Sequence, residues 1–197
     1  MPVAGGTPTP FVSGFVAPVV ALNTNANYVY FGDLTGSLYR VDHDGTVTRV
    51  LDGITVPNGP AFTADGTTMY LADSARGIVR RFPVDAATGE LGPPEPFVTV
   101  DDGSPDGMTV DAEGAVWIAV WGTGTVRRYL PDGRLDRTLR LPASRPAGVC
   151  LREDVLHITT ARVGLTAPGP LDGALFTARV DVPGTPAAAY RPSPEVS

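Results

Sequence analysis

Residues 56–74 read VPNGPAFTADGTTMYLADS, and residues 104–121 read SPDGMTVDAEGAVWIAVW. Each runs through Pro, then Asn or Asp, then Gly, an apolar run, an Asp-Gly or Glu-Gly pair, and a second apolar run. Asp-Gly between alternating apolar runs is a hairpin turn, so each stretch predicts two antiparallel strands. Proline at 18, 57, 105 and 146 marks four such places, at spacings of 39, 48 and 41 residues.

The second runs are YVYFGD (28–33), TMYLADS (68–74), VWIAVW (116–121) and VLHITTA (155–161). Third runs are SLYRVD (37–42), IVRRF (78–82), TVRRYL (125–130) and ALFTARV (174–180). Fourth runs are TVTRVL (46–51), EPFVTV (95–100), LDRTLRL (135–141) and, weakly, AAAYRP (187–192). Four strands per unit of about 40–50 residues is the period of a β-propeller blade. The expected fold is therefore all-β, a partial propeller of four four-stranded blades at 17–51, 56–100, 104–141 and 145–192. TPFVSGF (9–15) is expected to be the outer strand of a preceding blade. A β-sandwich also consists of short strands, but has no reason to repeat proline and paired runs at near-constant spacing.

Composition agrees. The 197 residues are 43% hydrophobic and 18% charged, which suits one globular domain. All 15 basic residues are arginine, so no lysine is present for a Schiff base or a P-loop. A net charge of −6 without a basic cluster argues against a nucleic-acid partner. No apolar run reaches the roughly 20 residues of a membrane helix. The amino-terminal MPVAGGTPTPFVSG lacks the basic and apolar segments of a signal peptide. The expectation is a cytoplasmic protein with neither membrane nor nucleic acid as partner. A single cysteine, Cys150, excludes an internal disulfide and reads as a core residue.

The repeat supplies its own control. After the anchoring prolines come Val19, Asn58, Asp106 and Ala147. Two units carry an apolar residue there, so the blade itself does not require a polar one. In a propeller this strand is innermost and its start rings the mouth of the central channel. Asn58 and Asp106 are thus expected in adjacent blades, facing the axis, where amide and carboxylate oxygens can share a hard cation. The competing reading is that Pro-Asn-Gly and Pro-Asp-Gly are turn formers and nothing more.

Other candidates carry less. His157, within LHIT, reads as packed or solvated, since imidazole needs a partner to be poised. His43, in DHDG, lacks the rest of an EF-hand loop and reads as a turn. A serine triad lacks its GxSxG elbow, and Ser74 ends a strand. Arg40, Arg81 and Arg128 each follow a glycine by four residues and form a repeated strand face. Trp117 alternates inward as core, whereas Trp121, in VWGTG, belongs either to the core or to the channel rim.

GSLYRVDHDGTVTRVLDGITVPNGPAFTADGTTMYLADS (36–74) and GSPDGMTVDAEGAVWIAVWGTGTVRRY (103–129), followed by RPAGV and ITTARVGL, resemble the gluconolactonase family. That family includes senescence marker protein (regucalcin) and luciferin-regenerating enzyme. The likeness runs from about Gly36 to about Tyr190. It implies a six-bladed propeller type, one divalent cation at the channel, and hydrolysis of a sugar lactone or similar small ester. It implies that Asn58 and Asp106 are metal ligands and that Asp106 is also the catalytic general base. Calcium leads as the cation, ahead of zinc, manganese or magnesium.

Two family features have no counterpart. The third ligand is a glutamate of an EGP-type motif, and no glutamate precedes Glu90. The RxNDG-type turn that contacts substrate falls on FVAPVV (15–20), with Pro18 and Val19 in place of Asn and Asp. Six blades would need about 270 residues, so the amino-terminal third is expected to be missing. Open apolar blade faces would then favour self-association. The expected function is a divalent-cation-dependent lactonase-like hydrolase, its activity hanging on completion of the site. The alternative is a non-catalytic binding propeller or an enzyme fragment.

Overall fold

Met69 and Leu71 belong to one buried cluster while Tyr70 and Ala72, between and beside them, belong to another. A strand buried on both faces needs a sheet on either side, and its side chains read as a continuous apolar run. TMYLAD and VWIAVW are such runs, and the architecture follows from them. The computed structural model describes residues 19–186 apart from 25–27, with residues 19–24 as backbone only.

Four antiparallel sheets follow one another along the chain. Sheet 1 holds β1 (Val19–Thr24), β2 (Val29–Asp33), β3 (Leu38–Val41) and β4 (Val47–Leu51) in that order. Sheet 2 holds β5 (Pro57–Phe62), β6 (Thr68–Asp73), β7 (Ile78–Pro83) and β8 (Glu95–Thr99). Sheet 3 holds β9 (Ser104–Val110), β10 (Val116–Trp121), β11 (Thr125–Tyr129) and β12 (Leu135–Arg140). Sheet 4 holds three described strands, β13 (Pro146–Arg152), β14 (Val155–Thr160) and β15 (Leu175–Arg179). The expected leading strand at 9–15, the expected run at 187–192 and Pro18 lie outside the described residues.

The sheets stack face to face. Tyr30 and Leu38 of sheet 1 pack with Met69, Leu71 and Phe82 of sheet 2. Tyr70, Ala72 and Val79 of sheet 2 pack with Met108, Ile118 and Val120 of sheet 3. Trp117 and Val126 of sheet 3 pack with Leu151, Leu156 and Ile158 of sheet 4. The first strands β1, β5, β9 and β13 lie against one another in sequence, while β4 and β12 are largely exposed. First strands gathered inside and fourth strands outside is the radial plan of a β-propeller. Among the described residues no helix is long and apolar enough to cross a membrane.

Cys150 is not a core residue. It is exposed, because the alternation of β13 turns Leu151 inward and leaves Cys150 on the opposite face, across from His157 on β14.

Candidate functional site

The site grows from an irregularity that all four first strands share. In β5, Asn58 pairs with Ala72 and Ala61 with Tyr70; in β9, Pro105 pairs with Val120 and Met108 with Ile118. In β13, Pro146 pairs with Thr160 and Gly148 with Thr159; in β1, Val19 pairs with Asp33 and Ala21 with Gly32. Each first strand thus carries one residue more than its partner, a β-bulge next to the anchoring position. Bulges re-aim side chains, and they gather beside active sites. Asp106 and Ala147 stand on the bulge and Asn58 at its edge. The register also corrects one equivalence. Val19 pairs with Asp33 as Pro57 pairs with Asp73, so the counterpart of Asn58 in sheet 1 is Val20, not Val19.

Glycines let these strands converge. A Cβ on Gly107 would stand 2.7 Å from the Cα of Gly148 and 2.8 Å from the carbonyl oxygen of Ala147. One on Gly59 would stand 2.6 Å from Cε of Met108. Gly107 therefore serves close approach between neighbouring sheets, while Gly59, with a φ of +86°, meets only the movable end of Met108 and is called for by its backbone conformation.

Asp73 and Ser74, at the end of β6, organise the turn before Asn58. The buried Asp73 carboxylate accepts the backbone N–H groups of Thr55 at 2.9 Å and Val56 at 3.2 Å. The Ser74 hydroxyl donates to the carbonyl oxygen of Pro105 at 2.6 Å and accepts from Asn58 Nδ2 at 2.9 Å. Asn58 in sheet 2 and Asp106 in sheet 3 are thereby linked through one hydroxyl and one carbonyl. The link runs from the Asn58 side chain to the backbone of the residue before Asp106. In sequence Ser74 is only a strand end; its one signal is a polar residue where sheet 3 has Trp121.

Asp106 is half-buried. Desolvation pushes its pKa up to about 6, and the Gly107 backbone hydrogen bond offsets only part of that rise. Trp121 ends β10 opposite Ser104, two residues before Asp106, and is half-buried. The Arg145 guanidinium lies 5.0 Å from its ring centroid and donates to the carbonyls of Val163 and Gly164. Trp121 is thus at the same end of the sheets as Asn58.

The remaining candidates are structural. Arg40, Arg81 and Arg128 pair with Asp42, Glu95 and Asp111. With Asp42 bound to Arg40 and its carbonyl closing onto Gly45 N–H, the segment around His43 is a turn. A cleft of about 320 Å³ lined by Tyr70, Arg81 and Glu95 opens beside Thr63 and Thr68. Those threonines flank the β5–β6 hairpin, so the cleft lies at the far end from Asn58.

Among the described residues no group of three or more His, Cys, Asp or Glu is arranged to hold a metal ion. The Asp106 carboxylate and the Asn58 amide carry oxygen donors of the kind that fits a hard cation and suits tetrahedral zinc poorly.

Residues 14–162 match the family described as SMP-30/Gluconolactonase/LRE-like region. The chain is 36% identical over 169 residues to pentonolactonase XacC of Haloferax volcanii, covering 79% of this chain and 57% of that one. It is 36% identical over 169 residues to L-arabinolactonase of Azospirillum brasilense, covering 81% and 55%. A crystal structure of a calcium-binding protein, regucalcin, from Agrobacterium tumefaciens superposes with a TM-score of 0.79 at 33% identity, covering 87% and 63%. The chain spans little more than half the length of the two lactonases.

Proposed function

The chain belongs to the SMP-30/gluconolactonase/LRE-like family, and from that premise we propose that it serves in hydrolysing a sugar lactone or a related small ester at the axial end of β5 and β9. One observation carries the reading. Asn58 and Asp106 stand on adjacent first strands, joined through Ser74 and Pro105, where sheets 1 and 4 have Val20 and Ala147. The similarity to a pentonolactonase and an L-arabinolactonase supports the substrate class. The similarity to a calcium-binding regucalcin supports calcium as the cation, with manganese or magnesium next.

When bound, the cation would polarise the lactone carbonyl and stabilise charge on its oxygen. Asn58 would hold it through a neutral amide oxygen and Asp106 through a carboxylate oxygen. Asp106 acts as general base: it takes a proton from water as that water's oxygen bonds to the carbonyl carbon. The ring C–O bond then breaks, and the proton passes from Asp106 to the departing ring oxygen, leaving the hydroxy acid. Trp121, backed by Arg145, presents a flat apolar face at the same end, against which a sugar ring can lie.

Hydrolysis of a pentono- or glucono-lactone followed by pH-stat, with calcium, manganese or zinc added, tests the reading. The expected result is calcium-dependent turnover that Asp106→Ala abolishes. Turnover at the background rate with every metal would overturn it and leave a non-catalytic binding propeller.

A further inference from the structure

Ser74 has one proton to give. A carbonyl oxygen can only accept, so the 2.6 Å contact with Pro105 commits that proton to the Pro105 carbonyl. The 2.9 Å contact with Asn58 must then run the other way, with Ser74 Oγ as acceptor and an N–H of Asn58 as donor. This decides which way round the amide sits. With Nδ2 held against Ser74, Oδ1 is turned away from it, and no donor among the described residues reaches Oδ1.

We propose that Ser74 is a positioning residue: anchored on the Pro105 carbonyl, its hydroxyl locks the Asn58 amide so that Oδ1 stays available as a cation ligand. This rests on the reading of Asn58 given above. The physical need is plain. An amide offers a cation its oxygen and repels it with its NH₂, so an unheld amide spends part of its time with the wrong end forward. A partner that can only accept removes that alternative, as outer hydrogen bonds do for metal ligands generally. Ser74 is buried at 8% exposure, so water competes weakly for either bond. The anchor belongs to the residue before Asp106, so the same hydroxyl also sets the Asn58 amide relative to the neighbouring carboxylate's strand.

Two readouts on the full chain test it. In nitrogen-resolved NMR, hydrogen exchange of the Asn58 side-chain amide is expected to quicken at least about tenfold in Ser74→Ala, as expected for loss of a buried hydrogen bond. Ser74→Thr, which keeps the hydroxyl, should restore it. In calorimetric titration with calcium chloride, Ser74→Ala is expected to weaken binding about 10–100-fold, with Ser74→Thr close to wild type and Asn58→Ala the weakest. Should Ser74→Ala fail to fold, Ser74→Cys, near in volume and a poor hydrogen-bonding group, takes its place. An Asn58 amide indifferent to Ser74→Ala overturns the proposal. So does calcium binding that falls in Asn58→Ala but not in Ser74→Ala. Wild-type protein that binds no calcium would instead overturn the functional reading, and the NMR comparison would still decide whether Ser74 holds the amide.

Discussion

Arg128 Nε lies 2.8 Å from Asp111 Oδ2, with the two side chains only 6% and 0% exposed. The same carboxylate accepts Trp117 Nε1 at 3.0 Å and the backbone N–H groups of Glu113 and Ala115. Arg128 also reaches Glu113 and Asp136. Removing one member of a buried pair leaves an uncompensated charge, at a cost of about 3–5 kcal/mol. Asp111→Ala frees only the Nε of Arg128, which keeps Glu113 and Asp136, but strands three further N–H donors, whereas Arg128→Met leaves Asp111 those three donors. Urea unfolding should therefore show Asp111→Ala to be the more damaging of the two. Equal losses would mean that the donors beyond Arg128 contribute nothing.

Burial makes Asp106 responsive to pH. The folded carboxyl titrates at about 6 against an ordinary 3.8. Between those values the folded state keeps a proton that the unfolded state has released. Stability contributed by this group is thus present at low pH, declines as pH rises from about 4 to 6, and is level above that. The total is of the order of 2–3 kcal/mol. Thermal unfolding in chelator at pH 4.5 and pH 7.5 should show Asp106→Asn gaining on wild type at the higher pH. Carboxyls held below the ordinary range by hydrogen bonds, such as Asp65 and Asp85, act the opposite way at lower pH, and comparing the two proteins cancels them.

The contact at Gly107 predicts a steric penalty. A Cβ there meets backbone of sheet 4, not the movable end of a side chain. Gly107→Ala should cost about 1–3 kcal/mol through overpacking and weaken calcium binding by displacing Asp106. Gly53→Ala is the control: its φ of 78° is unfavourable for alanine, but nothing lies within 4 Å. It should cost about 1 kcal/mol and leave calcium binding unchanged. Denaturant midpoints and calorimetry on both variants would check this.

Arg145 clasps the segment after β14 through the carbonyls of Val163 and Gly164 while stacked on Trp121. Removing a partly desolvated cation–π contact costs about 1–2 kcal/mol. Hydrogen exchange read by mass spectrometry should quicken about tenfold at 162–166 in Arg145→Ala, with β10 unaffected. Lactone hydrolysis by the same variant should show a raised KM and an unaltered kcat.

The strands were legible because alternation and Asp-Gly turns are local. TMYLAD and VWIAVW read as strands without knowledge of their neighbours. Asn58 and Asp106 stood out because their sister units are apolar. What stayed hidden depends on other chains of contact. Whether Val19 or Val20 matches Asn58 is a one-residue matter of register, and two adjacent valines conceal it. Ser74 acquires its role only when sheet 3 brings the Pro105 carbonyl beside it. Cys150 looked internal because free cysteine usually is. Which face of β13 has a neighbour cannot be read from β13 itself.

The surplus residue near the head of each of the four described first strands separates shape from chemistry. The ladder is interrupted at or beside that position, and a change of side chain there leaves the backbone pairing on either side in place. Each spoke therefore offers an address whose occupant can change while the wheel keeps its form. Val20 and Ala147 are two such addresses left blank, and new reactivity at the hub can be written one spoke at a time.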